Sequence, residues 1–264
     1  MIAALDRRAT AIWAGVDRSE ASKIRALEAG AEDVGTVEQM ASAADIIVSI
    51  CPPAAAEDVA EQVAASGFDG VYVDANAISP ATAERVAARF DRFVDGAVIG
   101  PPPDQPGTTR LYLAGPCAGS VAEVWAGTAL EAVVLPVDPE SATGAASALK
   151  MAYAGWTKGQ SSLLLAVNTL AKQAGVDQAL HDEWDRSQPG LSARSDAVAA
   201  GVGPKAWRFE GEMREIAATM DDAGLPEAFH LAAADLYHRL AGFKDHEPPT
   251  LDEVTTTLLF NPDQ

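Results

Sequence analysis

Short apolar runs alternate with Ala- and Glu-rich stretches of helical period along the chain up to about residue 136. The runs that predict strands are AIWAGV (11–16), ADIIVSIC (44–51), GVYVDAN (70–76), RFVDGAVIG (92–100), TRLYLAG (109–115) and EAVVLPV (131–137). The helical stretches are SEASKIRALEAGA (19–31), AAAEDVAEQVAAS (54–66), SPATAERVAARF (79–90) and VAEVWAG (121–127). Strands that alternate with helices of this length predict an α/β fold, a Rossmann-like, doubly wound and mostly parallel sheet.

The pattern changes after Pro136, because no strand-like run follows it. Residues 141–174 predict one long helix of about 50 Å at 1.5 Å per residue. Further helices are predicted at residues 177–187, 204–224, 225–242 and 250–260. The sequence therefore predicts an α/β domain over residues 1–136 and an all-α domain over residues 137–264, joined by the long helix.

Composition and charge narrow the possible partners. The 264 residues include 19 basic and 38 acidic side chains, a formal net charge of −19. This charge repels phosphate backbones and anionic lipids, so we expect neither a nucleic-acid nor a membrane partner. Cys51 and Cys117 stand in no paired or ligand-type spacing, so no disulfide and no metal site is expected. Because charges begin at Asp6 and no apolar run reaches 18 residues, we expect a cytoplasmic protein.

A single match to the dinucleotide-binding glycine pattern occurs, GVGPKA at residues 201–206. It lies between predicted helices rather than after a strand, and Pro204 lacks the amide that a phosphate would need. We interpret it as a turn between two helices.

Asp17, Arg18 and Ser19 stand in a better context, between a predicted strand and a predicted helix. A carboxylate at such a strand end can accept hydrogen bonds from ribose hydroxyls, whereas an arginine and a serine can hold a 2′-phosphate. The alternative is a helix cap beside a solvated arginine. We favour a nucleotide role with NADP or NAD as the cofactor, and Arg18 with Ser19 slightly favours NADP.

Two further segments end successive predicted strands at the edge of the sheet where ligands of open α/β folds bind. Ile50, Cys51, Pro52 and Pro53 would form a stiff backbone wall beside the cofactor. Asn76 would offer an amide that both donates and accepts hydrogen bonds, to cofactor or substrate. The alternative is that both segments are ordinary strand exits.

The predicted long helix is mostly apolar, but four polar residues, the polar stripe, lie along one of its faces. Lys150, Tyr153, Thr157 and Ser161 share one face at a period of 3.6 residues. A lysine held among apolar neighbours suits proton transfer, although a surface lysine with a buried stem is the alternative. The four histidines, at positions 181, 230, 238 and 246, are interpreted as structural or surface residues.

Four motifs, taken in order, resemble the β-hydroxyacid dehydrogenase superfamily, which includes 3-hydroxyisobutyrate and phosphogluconate dehydrogenases. They are VDANAISP (73–80), VDGAVIGPPP with GTTRLYLAG (94–115), GAASALKMAYAGWTKG (144–159) and LAGFKDHEPP (240–249). The likeness covers nearly the whole chain and is greatest to a subgroup whose helical C-terminal domain has no assigned function. It implies a nicotinamide cofactor, a catalytic lysine on the interdomain helix and a homodimer formed through the helical domains.

Carried over by position, Lys150 matches the lysine that handles the proton of the substrate hydroxyl. Gly100 remains from the substrate-loop motif, in which Ile99 and Pro101 replace a serine and a second glycine. Asn76 stands where many members have serine, and Ala154 where many have asparagine. The substrate contacts predicted in this way are Asn76, Gly100, Tyr153 and Thr157, and these departures leave the substrate itself open.

The resemblance also aligns MIAALDRRAT (1–10) with the second half of the family's first helix, so the first strand and its glycine-rich turn are missing. A start codon placed too late or a truncated variant would explain this. The missing strand would lie centrally, between the strands that end at Asp17 and Cys51. Its neighbours must then either pair directly or present two unpaired edges that need cover.

These observations favour an NAD(P)-dependent oxidoreductase that acts on a small hydroxyl- or carbonyl-bearing substrate, with Lys150 as general acid and base. One alternative is a catalytically silent helical dimerisation protein whose nucleotide site is lost. A second is an imine reductase.

Overall fold

The computed structural model describes residues 1–5 and 9–260. Asp6, which bears on the expectation about targeting, lies outside these residues. The chain separates into two compact units, residues 1–150 and 151–264. The division falls inside a 30-residue helix, Ala145–Ala174, rather than in a linker.

The first unit is an α/β structure, as the alternating pattern predicts. Its strands are β1 (Ile12–Trp13), β2 (Glu32–Asp33), β3 (Ile46–Ser49), β4 (Val71–Asp74), β5 (Phe93–Ile99), β6 (Thr109–Ala114) and β7 (Leu130–Val134). Its helices are α1 (Glu20–Glu28), α2 (Val37–Ala43), α3 (Ala56–Ala65), α4 (Pro80–Ala87), α5 (Ala118–Val124) and the first residues of α6 (Ala145–Ala174). The sequence pattern missed β2 and α2, because β2 is two acidic residues long and α2 spans only about two turns.

The second unit is helical, as predicted. It contains the rest of α6 and then α7 (Asp177–Ser187), α8 (Leu191–Val202), α9 (Ala206–Asp222), α10 (Ala228–Arg239) and α11 (Leu251–Leu259). Helix α8 was not predicted, because its small residues give no clear apolar stripe. The predicted start of the long helix at residue 141 was wrong: a short 3-10 turn, Pro139–Ser141, and Gly144 at φ +86° come before α6.

The strands of the first unit form two separate sheets. Five strands hydrogen-bond in the order β3-β4-β5-β6-β7, all in parallel pairs except β5 and β6. Strands β1 and β2 form a parallel pair of their own. Among the described residues, therefore, β1 and β3 do not pair directly, and the second of the two expected arrangements, with unpaired edges, is present.

Apolar side chains from the N-terminus pack near the open edge of β3. The segment Ile2–Leu5 forms a 3-10 helix whose Ala4 and Leu5 are buried. They join a core cluster against which Ile46 and Val48 of β3 also pack. The opposite face of the sheet is covered by α2, α3 and α4 through Ala41, Ala60, Val63, Ala83 and Val86.

Candidate functional site

Asn76 ties together the C-terminal ends of β3 and β4. Its side-chain oxygen accepts a hydrogen bond from the backbone N–H of Cys51 at 2.6 Å. Its amide nitrogen donates to Ser49 Oγ at 3.1 Å and to Asp74 Oδ2 at 2.9 Å, and its own N–H donates to Asp74 Oδ1 at 3.0 Å. With 2% of its surface exposed, Asn76 uses both side-chain donors inside the protein. In this geometry it orders the strand ends, and only a lone pair on its oxygen is left for another partner.

Burial perturbs the ionisable groups around Asn76. Desolvation raises the pKa of Asp74 to about 6, against the lowering effect of its hydrogen bonds from Asn76. Burial also raises the pKa of the Cys51 thiol, while the nearby Arg18 guanidinium lowers it. The hydroxyl of Tyr72 is buried and its pKa is raised by the same desolvation.

The segment Ile50–Pro53 leaves the strand end as an exposed backbone corner. Cys51 is half-buried and held to Asn76 through its N–H, whereas Ile50 is 56% exposed. Pro53 begins a 3-10 turn, Pro53–Ala55, that leads into α3. The four residues therefore line the edge of the sheet as predicted, and Ile50 presents an apolar side chain to solvent there.

The predicted ribose-binding residues are exposed. Ser19 is the N-cap of α1 and its hydroxyl accepts a hydrogen bond from the N–H of Ser22 at 3.2 Å. Asp17 has φ +61°, in the left-handed region, so the chain turns sharply there. The Arg18 guanidinium lowers the pKa of the Cys51 thiol, so the turn lies within electrostatic range of the end of β3.

The carboxylate of Asp33, on β2, holds the turn that precedes Asp17. Its Oδ1 accepts from the N–H of Gly15 at 3.0 Å and from the N–H of Gly35 at 2.9 Å. A Cβ at Gly15 would lie 2.2 Å from this carboxylate, so a larger residue there would displace the Asp33 side chain from these hydrogen bonds. The sequence analysis did not identify Asp33, because an acidic residue in a short polar segment carries no periodic signal.

Lys150 lies in the second turn of α6 and reaches the end of β5. Its Nζ donates to the backbone carbonyl of Val98 at 2.6 Å. One helical turn earlier, Ser147 donates to the buried carboxylate of Asp95 through its hydroxyl, at 2.7 Å to Oδ1, and its N–H, at 3.0 Å to Oδ2. Burial raises the pKa of Asp95 to about 6, against the lowering effect of these hydrogen bonds.

The other residues of the predicted stripe lie further along α6, in the second unit. Tyr153 is half exposed. The hydroxyl of Thr157 donates to the carbonyl of Tyr153 at 3.0 Å, and that of Ser161 to the carbonyl of Thr157 at 2.9 Å. Both hydroxyls are thus bonded back to their own helix, a common arrangement for serine and threonine within helices.

Gly100 closes the strand β5 against the start of β6. It has φ +130°, and a Cβ there would lie 2.4 Å from the carbonyl oxygen of Thr108. The hydroxyl of Thr109 donates to the carbonyl of Pro101 across the same loop. Gly100 is therefore required by the close approach of two backbones, whatever it contacts in a ligand.

The structure thus brings together Arg18, Cys51 and Asn76 at one edge, and Lys150 at the end of β5. Asp74 and Asp95, which the sequence analysis missed, are register partners on β4 and β5. A single aspartate within each apolar run, VYVD and FVDGAVI, was the available signal. A buried charged side chain needs a partner. The partner of Asp74 is Asn76, two residues away, whereas the partner of Asp95 is Ser147, 52 residues away, and could not be predicted from spacing.

Other sequence features take the following places. The GVGPKA segment forms the end of α8 and a 3-10 turn, Gly203–Lys205, before α9, as interpreted from its context. Within residues 1–5 and 9–260, no three His, Cys, Asp or Glu side chains are grouped as metal ligands. No helix in the same ranges has the length and apolar character needed to cross a bilayer.

This chain is similar to several known proteins. A family model called domain of unknown function DUF1932 matches residues 171–240. An uncharacterized 28.5 kDa protein from the 7S RNA 5′ region of Methanothermus fervidus is 30% identical over 167 residues, which are 62% of this chain and 62% of that protein. The chain thus spans about three fifths of the length of this relative.

Two solved structures match almost the whole chain. A conserved hypothetical protein from Sinorhizobium meliloti 1021 is 27% identical with a TM-score of 0.67, and the match covers 97% of this chain and 89% of that one. A 3-hydroxyisobutyrate dehydrogenase from Mycobacterium tuberculosis, solved with L-serine, is 17% identical with a TM-score of 0.66 and coverages of 97% and 94%. The second likeness concerns the fold, and together the two confirm the predicted fold class.

Proposed function

We propose that this chain is an NAD(P)-dependent oxidoreductase of the β-hydroxyacid dehydrogenase superfamily, a proposal supported by its fold and by the DUF1932 match at residues 171–240. Its substrate class is a small molecule with a hydroxyl or carbonyl carbon. The observation that carries the proposal is the placement of Lys150, whose ammonium group is fixed on the carbonyl of Val98 at the end of β5. The ends of the parallel strands are where ligands of α/β folds bind.

The residues present fit one end of a dinucleotide. Arg18 and Ser19 are exposed at a strand-to-helix turn, where a guanidinium and a hydroxyl suit a 2′-phosphate. The wall Ile50–Pro53 lies at the same edge and would support the nicotinamide-proximal part. Within the described residues no glycine-rich turn joins a strand to a helix, so the cradle for the pyrophosphate is the part that these residues do not supply.

A bound nicotinamide supplies or accepts the hydride. The residues of this chain then transfer the proton and position the substrate. Lys150 gives or takes the proton of the substrate hydroxyl, a role that needs an ammonium group held in a fixed direction. Asn76 orders the strand ends below the substrate, and Gly100 keeps the adjoining loop close to β6. Tyr153 and Thr157, further along α6, are proposed to contact the substrate.

The test is Lys150→Met, read by cofactor absorbance with 3-hydroxyisobutyrate or L-serine and either NADP⁺ or NAD⁺. Turnover should fall by about 10²- to 10⁴-fold, the usual contribution of a positioned acid and base, while NADPH affinity is retained. Lys172→Met, on the same helix but paired with Asp252, is the matched control and should leave turnover unchanged. A Lys150→Met enzyme within a few-fold of wild type contradicts the role. Turnover only with a ketone and a primary amine would instead identify an imine reductase.

A second candidate function is a silent helical dimerisation protein. Exposed apolar side chains along α6 favour it: Trp156 is 70%, Leu163 51% and Leu170 64% exposed. Such side chains are typical of protein interfaces, and a second copy of this chain is the proposed partner. NADPH fluorescence separates the two candidates, because the silent protein binds none.

The homodimer is proposed for either function and is tested by sedimentation. The chain should sediment near twice its 27.4 kDa mass at micromolar concentration. Leu163→Glu should shift it toward the monomer, whereas Leu225→Glu, at an exposed leucine outside α6, should not. A wild-type chain that sediments as a monomer contradicts the proposal.

A further inference from the structure

We infer that Asp95 is a positioning residue, whose carboxylate fixes the first turn of α6 and thereby holds Lys150 against the carbonyl of Val98. The consequence for turnover rests on the proposed function, whereas the consequence for Lys150 itself does not. Nothing in the resemblance that identified Lys150 assigns this role to Asp95.

The carboxylate of Asp95 meets the start of α6 directly. The residue is completely buried in the middle of β5. Its two oxygens accept from the hydroxyl and the N–H of Ser147. The backbone N–H groups of Gly144 and Ala146 also act on this carboxylate and lower its pKa. The first N–H groups of an α-helix have no partner within the helix. One carboxylate from a distant strand therefore accepts a hydrogen bond from a first-turn N–H, that of Ser147, at the start of a 30-residue helix.

This contact differs from the other helix starts of the first unit. Ser19, Thr36 and Ser79 cap α1, α2 and α4 with their own neighbouring hydroxyls. Such local N-caps stabilise the first turn of a helix but leave the helix free to move with the loop that precedes it. Asp95 instead belongs to β5, 52 residues from Ser147, and is held in place by its hydrogen-bonded neighbours β4 and β6. The cap therefore also docks the helix onto the sheet.

The second contact of α6 with β5 repeats the spacing of the first. Ser147 meets Asp95, and Lys150 meets Val98, so a step of three residues along the helix matches three along the strand. Three residues rise about 4.5 Å along a helix but about 10 Å along a strand, and the long lysine arm spans the difference. Two attachment points fix both the rotation of the helix about its axis and its height on the strand. Loss of the first leaves Lys150 on a helix that can turn.

The direct test is the chemical reactivity of Lys150, measured by limiting acetylation and peptide mass spectrometry on the full chain. In Asp95→Asn the amide nitrogen, itself a donor, faces one of the two donors of Ser147, so a charge-assisted hydrogen bond is lost. The first turn of α6 is then no longer fixed, and Lys150 should be labelled about tenfold faster. Lys158 and Lys172 are internal references, and their labelling should not change. Ser147→Ala, which keeps the backbone donor, should give a smaller increase.

Asp138→Asn is the matched control, because Asp138 caps the exposed 3-10 turn just before α6 through the N–H of Glu140. It should leave the labelling of all three lysines unchanged. If Asp95→Asn raises the labelling of every lysine equally, or of none, Asp95 is only a structural residue and the inference is wrong.

The kinetic readout separates this inference from the proposed function. With an active substrate, Asp95→Asn should lower kcat by about tenfold or more at unchanged NADPH affinity, since a displaced acid or base loses most of its contribution. If Lys150→Met abolishes turnover but Asp95→Asn does not lower kcat, the inference that Asp95 positions Lys150 is wrong and the proposed function stands. If Lys150→Met leaves turnover intact, the proposed function fails, and the labelling result still decides whether Asp95 holds Lys150.

Discussion

The five-stranded and the two-stranded sheets of the first unit hold their polar residues in opposite ways. At the ends of β3 and β4, the side chains of Ser49, Asp74 and Asn76 are buried and bonded to one another. Beside β1, Arg18 and Ser19 are exposed. Buried polar groups cannot be changed without a cost in stability, whereas exposed ones can. The chemistry of the first group is therefore tied to folding, and that of the second is free to set selectivity.

The largest effect is expected from Asn76→Ala. The change leaves the N–H of Cys51, the hydroxyl of Ser49 and the carboxylate of Asp74 short of a partner, and each such loss costs about 1–3 kcal/mol. We expect the free energy of unfolding to fall by about 3–5 kcal/mol in urea titrations. The thiol of Cys51 should also react faster with a thiol reagent, because its backbone is no longer held.

Asn168→Ala is the matched control for that prediction. Asn168 is equally buried in the second unit, where it bonds to Ser195, His181 and the carbonyl of Leu164. Its loss should destabilise the protein without changing the reactivity of Cys51. Similar thiol kinetics in both variants would show that Asn76 does not order this strand end.

The next effect is a pH dependence that arises from Asp74. Its pKa in the folded chain is raised to about 6 by burial, above the ordinary value of 3.8. The folded state therefore binds a proton before the unfolded state does, and the stability from this group is lost as pH rises through about 6. The free energy of unfolding should fall between pH 5 and 7.5 by about 1.4 kcal/mol from Asp74, the equivalent of one pKa unit, because the larger part of its effect is already lost below pH 5.

Asp74→Asn should flatten this slope, even though it lowers stability at every pH. Asp95, whose pKa is raised in the same direction, accounts for a remaining slope. The exposed carboxylates with lowered pKa, such as Glu57 and Glu253, act in the opposite sense only below about pH 4.5, outside the measured range. An unchanged slope in Asp74→Asn, with Asp138→Asn as the exposed control, would contradict the assignment.

The same contrast explains what the sequence could predict. The α/β pattern, the long helix and the cap at Ser19 were predictable, because periodicity and capping report burial and helix ends locally. Asn76 was predicted at a strand end, but its hydrogen bonds to Ser49 and Cys51 depend on the pairing of β3 with β4. Asp95 was missed because its partner Ser147 is 52 residues away. Only a folded sheet brings the two together.

The smallest expected effect concerns Arg18, one of the exposed residues beside β1. Arg18→Ala removes a charge from an exposed turn and should leave the free energy of unfolding within about 0.5 kcal/mol of wild type. If the guanidinium holds a 2′-phosphate, NADP⁺ affinity should fall by about tenfold or more, since a hydrogen bond to a charged group contributes about 1.5–3 kcal/mol. NAD⁺ affinity should change little, because NAD⁺ lacks that phosphate.

Arg25→Ala is the matched control for this variant, because Arg25 lies on α1 and bonds to Ser22 within the same helix. It removes the same charge from the adjoining helix and should leave the ratio of NADP⁺ to NAD⁺ affinity unchanged in fluorescence titrations. If the two arginine variants weaken both cofactors equally, the turn acts only through its net charge, as long-range attraction would. If Arg18→Ala weakens neither, the exposed residues beside β1 do not select the cofactor, and the wall at Ile50–Pro53 becomes the segment to mutate next.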